Sequence, residues 1–166
     1  KLPKRDTELV VVAGFWHDFG HTGGTSTSDD ANIAIAVSSM RSYFYEIDKW
    51  YHPTIKELQI IEDNIKGTRY PYLKKGDELS MSQKILRDSD VVQGLYCQNY
   101  VNGIVRALAT EMSINNNKID FKAALDMQMG FYNSLKFETN WAQDLHNKKL
   151  PEILKIVEDV KFLYKF

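Results

Sequence analysis

Hydrophobic residues recur along this chain at the three- and four-residue intervals of an amphipathic helix and seldom alternate as strand residues do. Leu9, Val12, Ala13 and Trp16 share one face of a first helix, which Asp6 or Thr7 caps and which ends near Gly20. The valines at 10–12 are β-branched, but the continuation AGFWHD keeps the helical period. Residues 22–28, TGGTSTS, hold no apolar side chain and read as a loop. Ser28, Asp29 or Asp30 then caps a long helix through Ile33, Ala36, Val37, Met40, Phe44 and Ile47. Pro53 suits the first turn of a third helix, which carries Ile55, Leu58, Ile61 and Ile65 and stops at Gly67. After the loop TRYPYLKKGDEL, Ser80 or Ser82 opens a helix through Ile85, Leu86, Val92 and Leu95. Further helices are expected at about 97–113, about 120–137, about 139–147 and, beyond Pro151, about 152–164. The pattern predicts a single all-α domain over residues 1–166, built as a bundle of about seven or eight helices.

Composition narrows what such a bundle does. With 43% apolar and 26% charged residues, the chain can bury a core and is not of disordered type. A formal net charge of −1 gives no basic excess for binding a nucleic-acid polymer. No apolar run approaches the ~20 residues of a membrane span, so no membrane partner is expected. The polar start, KLPKRDTE, is not a secretory signal. Cys97 stands alone, which excludes an internal disulfide and a multi-cysteine zinc site, and a cytoplasmic location is the expectation.

Candidate chemistry gathers where the first apolar run ends. His17 and His21 lie four positions apart, and so share a face if the helix continues through both; Asp18 sits beside the first. Imidazole and carboxylate are ligands for zinc, iron, manganese and related ions, and a core has no need of such a trio. Thr25, with Gly23 and Gly24, offers a backbone that a phosphate could approach. Lys84 and Arg87 are cations suited to a phosphate. Asp29 and Asp30 read as helix caps, and His52 and His146 as structural or surface residues. Trp16, Trp50, Tyr70, Tyr72 and Tyr96 are core candidates first, with one or two available to line a pocket.

The stretch LVVVAGFWHDFGH resembles the motif of the HD-domain phosphohydrolase superfamily, in which a His-Asp pair ends a buried helix and binds a divalent ion. Its continuation, HDFGHTG, is similar to the His-Asp-x-x-His-x-Gly version of cyclic-nucleotide phosphodiesterases and their bacterial relatives. The segment IIEDNIKGTRYPYLKKGDELSMSQKILRDSDVVQ resembles the region that supplies the superfamily's distant Asp. Matched in this way, RDSDVV points to Asp90 as that ligand, with Asp88 supporting it or replacing it if the register shifts by two. The resemblance covers about residues 8–96 and implies an HD-like helical bundle. It also implies one or two divalent ions (Mn, Mg, Fe, Zn or similar) on His17, Asp18 and Asp90, with Asp18 and His21 in catalytic roles. Asn32 would face the site, as an Asn does in the phosphodiesterase relatives.

The implied function is metal-dependent hydrolysis of a nucleotide phosphoester, more specifically a cyclic phosphodiester. The alternative is a non-catalytic ligand-binding or interaction domain with the same fold. The chain departs from the pattern at one point: residues 1–16 lack the His that precedes the doublet in the superfamily. The sequence begins at Lys1 rather than Met, and the expectation is that an N-terminal helix carrying this His lies upstream of it.

Overall fold

A computed structural model of the chain describes residues 2–21, 29–47, 51–70, 72, 78–96, 110 and 121–164. Among the described residues there are six α-helices and no strand. They are α1 (Lys4–Trp16), α2 (Asp29–Ser42), α3 (Ile55–Gly67), α4 (Met81–Val92), α5 (Phe121–Ser134) and α6 (Asn140–Tyr164). The described residues divide into two compact units, one running through α4 to Asp90 and the other from Val91 onward.

Local chemistry accounts for where the helices of the first unit begin and end. Pro3 occupies the N-cap of α1, three or four residues ahead of the expected Asp6 or Thr7, because a proline fits where no N–H is needed. α3 starts in a reciprocal capping box: the Thr54 hydroxyl accepts from the Glu57 amide, and the Glu57 carboxylate accepts from the Thr54 amide at 2.7 Å. The same device opens α4, where Gln83 Oε1 accepts from the Ser80 amide at 2.9 Å and Ser80 Oγ accepts from the Gln83 amide at 3.3 Å. α2 ends at Ser42 and passes into a π-helical turn, Tyr43–Ile47, rather than running as α-helix to Ile47. Beside that turn the rings of Tyr43 and Phe44 pack on Trp16 with centroids 5.4 and 6.5 Å apart.

The three apolar stripes then meet. Leu9, Val10 and Ala13 of α1, Ile33, Ala36 and Met40 of α2, and Leu58, Ile61 and Ile65 of α3 form one buried cluster, which Leu86 of α4 completes. Glu62 is buried on α3 because Arg41 reaches it with Nε at 2.7 Å and Lys66 with Nζ at 2.5 Å, so that two cations offset its desolvation. α1 is apolar on its outward face too. Val11 and Phe15 are exposed there, and an apolar groove lined by Leu2, Thr7, Val10, Val11, Ile85 and Leu86 runs beside them.

The second unit has its own core: Val92 and Leu95, Ala124, Leu125, Met129 and Tyr132 of α5, and Ala142, Ile153 and Val157 of α6. Two helices expected at about 139–147 and 152–164 are a single helix, with Pro151 inside it. The proline removes one backbone hydrogen bond, but Ala142 and His146 before it and Ile153 and Val157 after it are all buried, and this burial holds both halves in one helix. The helix expected at about 97–113 lies outside the described residues apart from Thr110. These two differences account for six helices where seven or eight were expected. Among the described residues, no helix is long and apolar enough to cross a membrane.

Gly94 packs so closely on Tyr132 that a Cβ there would overlap the tyrosine hydroxyl. Gly94→Ala is therefore expected to lower the thermal midpoint by several degrees, as overpacking costs about 1–3 kcal/mol. Tyr132→Phe, which removes the overlapping oxygen, should restore much of the loss in the double variant. Thermal scans of the four chains measure this, and additive losses would show that the two sites do not meet.

Candidate metal centre

The end of α1 sets the geometry of the site. His17 is the C-cap residue, still helical at φ −56° and ψ −36°, and its amide bonds the Ala13 carbonyl at 2.9 Å. Its side chain therefore points back along the helix, and Nδ1–H donates to the Gly14 carbonyl at 2.7 Å. A carbonyl only accepts, so this bond puts the ring hydrogen on Nδ1 and leaves Nε2 as the outward-facing donor atom. Nε2 lies 3.3 Å from Asp18 Oδ2 and 3.3 Å from Asp90 Oδ1.

Asp90 comes from α4, 73 residues later in the chain. Leu86, one turn earlier on the same helix, is 5% exposed and belongs to the core shared with α1. Packing of that leucine thus fixes how far Asp90 stands from His17. The three donor atoms of His17, Asp18 and Asp90 all lie within 4.8 Å of one another. Bonds of about 2.0–2.2 Å to one cation place neighbouring ligand atoms ~3–4 Å apart, which matches the two 3.3 Å spacings. One imidazole and two carboxylates suit a divalent first-row ion or magnesium. Three protein ligands are also the number found in catalytic sites that keep a position open for water or substrate. The residues present fit such an ion.

The hydrogen bond to Asp90 is the main cause that pushes His17 up to about 9, helped by the charges of Asp90 and Asp18 and opposed by burial. Without an ion, the imidazolium is the cation that the two carboxylates hold. A metal must displace that proton.

The other expected site residues fall in several places. α1 stops at Trp16, and the chain turns through two tight bonds, Phe19 amide to Trp16 carbonyl at 2.9 Å and His21 amide to Asp18 carbonyl at 3.0 Å. Gly20 takes a φ of 77° in this turn, a left-handed conformation that ends helices. His17 and His21 consequently do not share a helix face, and His21 is exposed outside the three-donor set. Asp88, the alternative register, is 2% exposed and outside that set as well. Arg87 is 4% exposed, donates from Nε to the Gly67 carbonyl at 2.9 Å and lies with its guanidinium 4.1 Å over the Tyr72 ring. It is a buried cation at the C-terminal end of α3, where the helix dipole favours positive charge, and not a surface phosphate ligand. Lys84 is half-buried on α4, six positions before Asp90 and so turned about 120° from it around the helix. Asn32 is buried on α2 at 6% exposure. Thr25 lies outside the described residues.

Two further contacts in this unit carry no mark in the residue pattern, and a third involves a tyrosine already named as a pocket candidate. The first is the Gly14 carbonyl, although a residue three before a helix-ending His is positioned to accept from it. The second is Arg69, which grips Asp30 with both Nε and a terminal nitrogen, the latter at 2.8 Å, while Asp29 accepts from the Tyr70 amide at 2.6 Å. These bonds tie the segment after α3 to the first turn of α2. The third is Tyr72, next in that segment, whose ring stands edge-on to Tyr70 with centroids 5.4 Å apart. Burial first, then the charge of Asp90, pushes its phenol up to about 12.

Linkage fixes the sign of the pH dependence. In the metal-free protein the contribution of His17 is present in full below about 6.5 and is lost as pH rises through about 9. Thermal midpoints across that range should show this loss, and Asp90→Asn should abolish it. Affinity for Mn²⁺ should run the other way, tightening up to about pH 9 with release of one proton, as calorimetry in buffers of different ionisation enthalpy would record.

No protein-family model, curated protein or solved structure matches the chain. What this centre can bind therefore follows from its own three donors and the groups that hold them.

Proposed function

We propose that the chain is a metal-dependent phosphohydrolase acting on a nucleotide phosphoester, more specifically a cyclic phosphodiester, at the centre formed by His17, Asp18 and Asp90. The observation that carries this reading is the pinned imidazole: Nδ1 is committed to the Gly14 carbonyl, so Nε2 faces two carboxylates as a ligand atom. The similarity of HDFGHTG and RDSDVV to the HD superfamily supports the choice of phosphoester chemistry.

A divalent ion there would make water nucleophilic near neutral pH and neutralise charge on the phosphoryl oxygens. The chain's own groups do the rest. Asp90 and His17 are held by the packing of α4 and α1, which keeps their donor atoms from drifting. The Asp18 side chain is 62% exposed and stands on the solvent side of the trio, the side from which substrate arrives. His21, at the end of the same turn, is the group assigned to protonate the leaving oxygen.

Metal analysis of the purified protein comes first, followed by bis(p-nitrophenyl) phosphate, p-nitrophenyl phosphate and 3′,5′-cyclic nucleotides with Mn²⁺. The expected result is bound metal and turnover of phosphodiesters above monoesters. Asp18→Ala should bring turnover to background and lower bound metal while leaving the far-UV helical signal unchanged. A rate equal to that of the unaltered chain would remove this centre from the chemistry. Metal without turnover of any of these esters would assign the site to a non-catalytic binding domain.

A further inference from the structure

We propose that the rings of Phe19 and Tyr43, both resting on Trp16, form the subsite that holds the base of a nucleotide substrate at this centre. The proposal rests on the metal-centre reading above and extends it from the phosphoester to the group that the ester carries.

The first observation is covalent. Phe19 directly follows Asp18, and Trp16 directly precedes His17. Consecutive Cα atoms stand ~3.8 Å apart, so both aromatic residues leave the backbone within about 4 Å of a ligand residue. The turn between them is tightly closed. The Phe19 amide bonds the Trp16 carbonyl at 2.9 Å, and the Phe19 ring returns onto the indole with centroids 4.9 Å apart. The turn also sits hard against α2, since a Cβ on Gly20 would come within 2.6 Å of Ile35 Cγ2. Asp18 and Phe19 are therefore carried by one restrained piece of chain.

The second ring comes from the end of α2. Tyr43 opens the π-helical turn and packs on Trp16 with centroids 5.4 Å apart. Phe44 packs on the same indole at 6.5 Å and on Tyr51 at 5.8 Å, so that Trp16 is held within an aromatic cluster. Phe19 and Tyr43 are tilted to the indole at 52° and 51°. Neither lies flat on it, and each keeps a face turned away.

The third observation is exposure. Phe19 is 50% and Tyr43 37% exposed, beside an Asp18 side chain that is 62% exposed. Rings that served only the core would be covered. These rings carry no formal charge, and so suit a flat neutral group and not a second phosphate. A nucleobase is such a group, because every base offers a π-face and stacking asks for no particular hydrogen-bond pattern.

The test compares adenosine 5′-monophosphate with ribose 5-phosphate, which keeps the phosphate and sugar and lacks the base. Calorimetry on the Mn²⁺-loaded full chain should show the nucleotide binding about five- to a hundredfold tighter, the effect of one stacked base. Phe19→Tyr, which keeps a ring, should retain this preference. Phe19→Leu and Tyr43→Leu, which keep apolar bulk without a ring, should each lose most of it, with affinities for Mn²⁺ and ribose 5-phosphate unchanged. Equal affinity of the unaltered chain for the two ligands would overturn the subsite and leave the metal centre intact. A preference retained in both leucine variants would overturn it as well. So would a parallel loss of ribose 5-phosphate affinity, because the rings would then hold the turn that carries Asp18 and not the base. An unaltered chain that binds no Mn²⁺ would overturn both the centre and this extension.

Discussion

The hydrogen bond from His17 Nδ1 to the Gly14 carbonyl is the constraint on which the rest of the site depends. It uses a backbone acceptor one turn back on the same helix, so its geometry is set once α1 is formed. The direction of Nε2 is then a property of how α1 is rotated about its axis. That rotation is set by Leu9 and Ala13, which are 1% and 0% exposed against the core shared with α2 and α3. Leu86 carries the same constraint into α4 and so to Asp90. The convergence of donors from residues far apart in sequence is paid for by ordinary apolar burial, about 25 cal/mol per Å² of surface withdrawn from water.

The convergence also has a cost. Two carboxylates aimed at one point repel each other, and without a metal the His17 proton is what offsets them. The same unit buries polar groups that a simple helical bundle would avoid: Asn64, Gln83, Arg87 and Asp88. Where their partners are seen, they bind backbone. Gln83 donates to the Asp63 carbonyl at 2.8 Å, and Arg87 donates to that of Gly67. Buried polar groups satisfied in this way fix the register of α3 against α4 more narrowly than apolar packing does, because each needs one partner at one distance.

Much of the architecture was legible from spacing. Leu58, Ile61 and Ile65 sit at intervals that only a helix turns to one side, and they are buried. Of Ser80 and Ser82, either of which could open the fourth helix by type, the structure uses Ser80, whose capping box Gln83 completes three positions on. Where apolar residues surround a helix, spacing loses this power. In VVVAGFW the buried set is Val10 with Ala13, while Val11 is exposed, and no period within that run distinguishes them. α1 stops at Trp16, four residues before the Gly20 expected to end it, and the turn between Trp16 and His21 separates two histidines that four-residue spacing had placed together. The doublet His17–Asp18 and the distant Asp90 were found because a motif names residue types in order, and packing then had only to bring them within reach. Tyr72 and Arg69 could not be found in that way. They lie in a segment read as loop, and their partners are 15 and 39 positions away.

Pro151 carries a consequence for how α6 moves. The helix is 25 residues long, about 37 Å, yet at Pro151 it lacks the N–H that would close onto Asn147. Ala142 and His146 anchor one half to the interior, and Ile153 and Val157 anchor the other. Fraying that starts at Tyr164 therefore meets a break in the ladder before it reaches Ala142. Amide hydrogens on the two sides of the proline should exchange with deuterium as separate blocks, so that one continuous rod opens as two stretches with their own lifetimes.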